Sequence, residues 1–289
     1  MTETKNPPFQ NSASASPFSG LTAFSRDLWI GHDVHNDISV GLGAYHVWSA
    51  MGWHDIRQRY RRSILGPFWF TLTTLIMVAV LGFLYSTLLD QDITLYLPYL
   101  GIGLVVWQFI STTANESCSM LISSAHILRQ MRIPVSSYII RMVWRNVIIL
   151  LHSLPVVIIL LLLLGNPLKL SSVLAIPGLL ILALNMVWFS LIVGVLCARY
   201  RDIAPIVGNI FQVGFFLTPV MWQTEALDGR AWVAHFNPLY HLIELIRAPL
   251  TTGSFPLLSW TVSLTILVGG FMIAQYLMVR FRNRIPYWI

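Results

Sequence analysis

Charge is what this chain has least of: 10% of its 289 residues are Asp, Glu, Lys or Arg, against 56% apolar. A soluble domain carries roughly 25% charged residues, so neither a soluble fold nor an extended disordered chain fits. Cysteine is nearly absent as well, and Cys118 and Cys197 form no CxxC pair and join no His or Cys cluster at metal-ligand spacing. That excludes a disulfide scaffold and a structural zinc site. Lysine is reduced to Lys5 and Lys169, and no GxxxxGK sequence followed by Ser or Thr occurs, so no lysine is placed to cradle nucleotide phosphates. This chain does not itself hydrolyse ATP. HExxH and GxSxG are missing, and no carboxylate pair lies inside an apolar run where it would act as acid and base. No internal repeat is visible, which weighs against carriers built from two related halves.

What is present is apolar sequence in long pieces, with a mean hydropathy of +0.68. Crossing about 30 Å of hydrocarbon at about 1.5 Å per residue takes about 18 or more apolar residues. Six runs free of Asp, Glu, Lys and Arg meet that need: Phe68 to Leu89, Ile93 to Asn115, Val147 to Leu164, Val173 to Ala198, Ile203 to Thr224 and Leu257 to Val279. None alternates polar and apolar residues as barrel strands do. The expected fold is therefore an all-α integral membrane bundle of six transmembrane helices over 68–284. Fifteen basic residues fall before the first run, after the second and fourth, and in the tail, while three (Lys169, Arg230, Arg247) fall on the opposite side. The positive-inside rule then places both termini in the cytoplasm. Nucleic acid is not needed to explain a net charge of +6 whose arginines flank apolar runs.

Two regions are irregular. Residues 1–37, rich in Ser, Pro and Asn over about the first 20 and without a signal-peptide pattern, read as a flexible cytoplasmic region. Residues 38–67 read as an amphipathic helix lying in the interface, with Tyr45, Trp48 and Trp53 among headgroups and Arg57, Arg59, Tyr60, Arg61 and Arg62 anchoring it to lipid phosphates. Gly66-Pro67 marks the turn into the first span. Between spans five and six, Glu225 to Pro256 is too apolar for an ordinary loop and is broken by Asn237-Pro238 and Pro249. A re-entrant helical hairpin on the outer side accounts for it. Residues 285–289 form a short cytoplasmic tail. Glu116, at the inner end of span two, reads as a wet residue on a helix that continues past the bilayer, and His152, beside Pro155, reads as a helix-packing histidine.

Several blocks occur in the order of a known family. Arg59-Tyr60-Arg61-Arg62-Ser63-Ile64-Leu65-Gly66-Pro67-Phe68-Trp69 resembles the start of the first span in the permease subunits of ABC-type polysaccharide exporters. Leu128-Arg129-Gln130-Met131-Arg132-Ile133-Pro134, Arg201-Asp202-Ile203 with Phe215-Phe216-Leu217-Thr218-Pro219-Val220-Met221-Trp222, and Asn237-Pro238-Leu239 with Glu244-Leu245-Ile246-Arg247 are similar to later blocks of the same family. The resemblance covers about residues 57–284. It implies a homodimer bound to two copies of an ATP-binding subunit that holds ATP and Mg, with no cofactor in this chain. It further implies outward movement of a lipid-linked glycan such as O-antigen, capsule or teichoic acid across a bacterial inner membrane. Leu128 to Pro134 would then be the coupling segment seated on the ATPase. On this reading Tyr85, Tyr99, Trp107, Phe109, Phe211, Phe215, Phe216 and Trp222 line an aromatic path for sugar rings, although belts and helix packing use the same residues.

Two other functions were weighed from the sequence. An intramembrane glycosyl- or acyltransferase acting on the same lipid-linked sugars needs an acid or base, and His235 and Glu244 are the candidates. A gated channel needs a ring-forming polar or charged segment in a pore-lining span, and no such segment stands out.

Overall fold

A computed structural model describes residues 37–61, 66, 68–88, 91–130, 134–165, 168–224 and 232–289, and all of them fall within one compact unit, Val34–Ile289. The proposed flexible region therefore lies outside the described residues, apart from Asp37. The described residues are helical, with no strand. Two helices, α1 (Asp37–Gly43) and α2 (Tyr45–Tyr60), precede α3 (Phe68–Leu88) and α4 (Ile93–Ser123). The short α5 (Ala125–Gln130) leads to α6 (Val135–Leu163), and a 3-10 turn, Leu170–Leu174, opens α7 (Ala175–Arg199). Then come α8 (Ile203–Leu217), α9 (Trp232–His235), α10 (Pro238–Thr251), α11 (Leu257–Phe281) and α12 (Ile285–Trp288).

Five helical stretches are long and apolar enough to cross a membrane: Thr71–Leu88, Ile93–Ser123, Val135–Leu163, Leu170–Arg199 and Leu257–Trp288. The fifth expected span, Ile203 to Thr224, is cut short. Its helix ends at Leu217 because Thr218 precedes Pro219 and is driven to ψ 138°, outside the α region. Fifteen residues at about 1.5 Å each make roughly 22 Å, less than the hydrocarbon thickness. Two other helices are longer than their apolar runs. The 31 residues of α4 reach about 46 Å, and α6 begins twelve residues before Val147, at Val135. Arg141 and Arg145, assigned from sequence to a loop, are therefore on the first turns of a helix.

The N-terminal helix also differs from expectation. It is interrupted at Ala44, and the apolar residues of α2 are spread around the helix rather than gathered on one stripe. Tyr45 and Trp53 are exposed, but Trp48 packs edge-on against Trp144 of α6 with centroids 5.7 Å apart. The close approach needs Gly52, where a Cβ would stand 3.0 Å from Trp144 and 3.2 Å from the Arg141 carbonyl oxygen.

The core forms around α4, whose buried face from Leu100 to Leu121 meets α3, α6, α7, α8 and α10. Asp92 caps its start, accepting from the Thr94 backbone N–H at 2.9 Å, and that bond holds the Asp92 carboxyl below the usual carboxylate range. Asn237 caps α10 in the same way, accepting from the Leu239 N–H at 2.9 Å. At the far end of the chain Arg282 pairs with the buried Asp37 at 2.9 Å, and Trp288 packs between Phe281 and the Arg199 guanidinium. The tail is thus built into the bundle.

Candidate functional site

Helices α3, α4 and α8 enclose a lateral groove of about 690 Å³. Four of the aromatics expected on a path line it: Trp107, Phe211, Phe215 and Phe216. Trp107 is the hub of the cluster, with its ring 6.2 Å from Phe211 and 5.6 Å from Phe215, and Phe216 lies edge-on to Phe215 at 5.4 Å. The other four of the proposed path are elsewhere. Phe109 is buried on the side of α4 that faces Asn146 and Ile149, and Tyr85 packs against the core. Trp222 belongs to the turn beyond α8, and Tyr99, on α4, donates to the Pro219 and Trp222 carbonyls of that turn.

Polar side chains line the same groove. Gln108, Ser111 and Asn115 project from α4 at helical spacing, joined by Thr73 and Thr74 of α3 and Gln212 of α8. Gln108 Nε2 donates to Thr112 Oγ1 at 3.1 Å and Asn115 Nδ2 to the Ser111 carbonyl at 2.8 Å. The signal was there in the i, i+3, i+7 positions of an otherwise apolar span. Two glycines of α8 bring that helix close, since a Cβ at Gly208 would lie 3.4 Å from Asn115 Oδ1 and one at Gly214 3.4 Å from Trp107.

After Phe216 the chain turns through Thr218 to Trp222, and side chains take up several of its backbone carbonyls. Tyr96 donates to Met221 O at 2.5 Å, Tyr99 to Trp222 O at 2.9 Å, and Arg247 Nη1 to Pro219 O at 2.6 Å. Arg247 is 1% exposed, sits 4.0 Å above the Tyr99 ring and pairs with Glu244 through Nε at 2.8 Å. The broken helix end is satisfied by side chains, as a buried backbone requires.

Beyond one end of the groove, one residue past Asn115, lies a charged hub. Glu116 accepts from Arg59 Nη2 at 3.0 Å, from Asn146 Nδ2 at 2.9 Å and from Arg145 Nη2. Asp55 holds Arg141 through two bonds of 2.6 and 2.5 Å and stands 3.8 Å from Arg145. Glu116 is thus a structural junction of α2, α4 and α6 rather than a merely wet residue. Burial pushes the neighbouring Tyr60 phenol up, against the opposing pull of Arg59 and Arg145.

Comparison with known proteins agrees with this arrangement. Residues 46–251 match the family described as ABC-2 type transporter. The chain belongs to that family. It is 26% identical over 194 residues to an O-antigen export system permease protein RfbA of Klebsiella pneumoniae, covering 65% of this chain and 74% of the relative. A protein of the same name from Myxococcus xanthus is 24% identical over 197 residues, covering 67% and 76%. The chain is therefore a multi-pass membrane permease subunit of a kind that works with an ATP-binding subunit.

In this permease the segment proposed for coupling is only partly described. Leu128 ends its visible packing against the core on α5, and Pro134 precedes the first turn of α6 with φ −51° and ψ 134°. The Arg129 and Gln130 side chains, and Met131, Arg132 and Ile133 entirely, lie outside the described residues, as does Arg62 of the proposed anchor. Arg57 and Arg61 are exposed, while Arg59 is in the hub. His152 behaves as a packing residue: its Nδ1 lies 2.7 Å from the Ile148 carbonyl, and its ring meets Phe68 edge-on. Of the two residues that an enzyme reading would use, Glu244 is committed to Arg247, and His235 lends its carbonyl to His241 Nε2 at 2.8 Å.

Proposed function

We propose that this permease is the transmembrane subunit of an ATP-driven exporter that moves a lipid-linked polysaccharide outward across the bacterial inner membrane. The observation that carries the reading is the groove, where aromatic rings lie among amides and hydroxyls inside spans that are otherwise apolar. Aromatic rings pack on the C–H faces of sugars while amides and hydroxyls meet their hydroxyl groups. Many weak contacts in series let a polymer slide without being trapped. The O-antigen export named for the relatives supports the same substrate class.

Two copies of the chain face each other in this proposal, and the partners are the exposed apolar residues of α3 and α8, among them Met77, Val80, Ile206, Ile210 and Val213. Two ATP-binding subunits supply the energy from the cytoplasmic side. The distribution of basic residues supports that side as cytoplasmic, and Leu128 to Pro134 is the proposed coupling segment on it. The outer side then holds α9 and α10 as the re-entrant hairpin, with the Arg247 junction at its base.

The test is transport by the permease and its ATP-binding subunit in proteoliposomes supplied with lipid-linked glycan. ATP-dependent appearance of glycan in the opposite compartment is expected. Hydrolysis or transfer of the glycan without its movement would point to an enzyme and overturn the proposal.

A further inference from the structure

We infer that the groove selects uncharged glycans: the exported polymer is built of neutral sugars, and Gln108, Ser111 and Asn115 read its hydroxyl groups. The inference rests on the export reading above and narrows it from polysaccharide in general to one electrostatic class. Its ground is the chemistry of the groove wall.

Every described side chain of the wall is uncharged, a mixture of rings and aliphatic groups with amides and hydroxyls. Amides and hydroxyls both donate and accept, as sugar hydroxyls do, so a neutral hexose meets a complementary partner in either orientation. Gln108, Ser111 and Asn115 extend about 10 Å along α4, long enough to hold successive groups of an extended chain. Their mutual bonds, Gln108 to Thr112 and Asn115 to the Ser111 carbonyl, use one amide N–H of each residue and fix the direction of the side chains. A carboxylate or phosphate drawn into the same space loses its water and gains no countercharge from the wall, which is unfavourable in a low-dielectric setting.

Arg201 shares a neighbouring cavity with Asn115 but does not line the groove, and Arg59, Arg141 and Arg145, past the groove's end, are engaged by Glu116 and Asp55. Their charge is spent on joining α2, α4 and α6. An acidic polymer such as a sialic acid or glycerol phosphate chain therefore meets arginines only beyond the groove's end and a neutral wall within it. Sequence reading left O-antigen, capsule and teichoic acid equally open, because charge selectivity depends on which side chains share the groove.

Two measurements test this. First, the permease in lipid nanodiscs is titrated with a mannose oligosaccharide and with a sialic acid oligosaccharide of the same length. Binding is read as the part of the tryptophan fluorescence change that is lost in Trp107→Phe. Quenching by the mannose oligosaccharide at a concentration at least about tenfold lower than by the sialic acid oligosaccharide supports the inference. Equal response to both overturns it. Second, the complete transporter in proteoliposomes is given a lipid-linked mannan or a lipid-linked polysialic acid. Export of the mannan at least about tenfold faster is expected, and Gln108→Lys should narrow or invert that ratio by placing a cation on the wall. Equal export of both polymers overturns the charge selectivity and leaves the export function standing. ATP-driven movement of neither polymer overturns the export reading itself. Should Gln108→Lys fail to assemble, Asn115→Lys serves as the second variant; loss of mannan preference in neither assembled variant counts against the inference.

Discussion

Glu116 offers the sharpest energetic test, because three groups converge on one carboxylate. Replacing it by Ala removes the acceptor for Arg145, Asn146 and Arg59 together. Arg145 is 11% exposed and keeps a 3.5 Å bond to Asn146 Oδ1 and a 3.8 Å approach to Asp55, so most of its charge is left buried and uncompensated. Breaking a fully buried pair costs about 3–5 kcal/mol, and the 25% exposure of Glu116 lets water recover part of that. We expect Glu116→Ala to destabilise the bundle by about 2–3 kcal/mol. Arg59, 39% exposed, makes a solvent-screened pair, and Arg59→Ala should cost less than about 1 kcal/mol. The assay is reversible unfolding in mixed micelles with increasing SDS, followed by far-UV circular dichroism. A double-mutant cycle between Glu116→Ala and Arg145→Ala should return a coupling of at least about 1 kcal/mol. If Glu116→Ala costs no more than Arg59→Ala, the hub is a set of surface pairs and the junction reading is wrong.

Other expectations follow from the same geometry. Gly178→Ala places a Cβ 2.5 Å from the Leu245 carbonyl oxygen, so α7 and α10 must separate; a loss of about 1–3 kcal/mol is expected in the same unfolding assay, and no change would mean the helices are farther apart. Arg247→Lys keeps the charge but loses the planar fork that reaches Glu244 and Pro219 while stacking on Tyr99, so it should destabilise by about 2 kcal/mol or more, measured likewise. Single cysteines at Ser171 and Arg201 in a Cys-free background should split in their reaction with an impermeant thiol reagent on intact cells, the first labelled and the second protected. Labelling of Arg201→Cys alone would reverse the orientation.

The spans were legible because a run of about 20 uncharged apolar residues has few alternatives to crossing a bilayer. Their ends were not. Arg141 and Arg145 look like loop residues when read along the chain, yet they turn inward from α6 onto Asp55 and Glu116, partners supplied by α2 and α4. A charge in a sequence gives no sign of whether water or a distant carboxylate satisfies it. The fifth span misled for a related reason: Val220, Met221 and Trp222 continue the apolar composition of α8, but Pro219 has already ended the helix, and tyrosines from α4 hold the turn. Arg247 counted as an outer-face charge and proved to be among the most buried side chains of the fold. For the candidate site, residue type was readable and location was not. Trp107, Phe211, Phe215 and Phe216 share the groove, whereas Phe109, two residues from Trp107, faces another side of α4.

The central claim is that glycan passes along this groove, and site-specific photocrosslinking during turnover tests it most directly. A photoreactive amino acid is placed at Gln212, on the groove wall, or at Val268, on the exposed face of α11, and the transporter is illuminated while it exports labelled glycan. The account predicts an ATP-dependent glycan adduct at position 212 and none at position 268. Adducts of equal yield at both positions, or at neither while export proceeds, would contradict it.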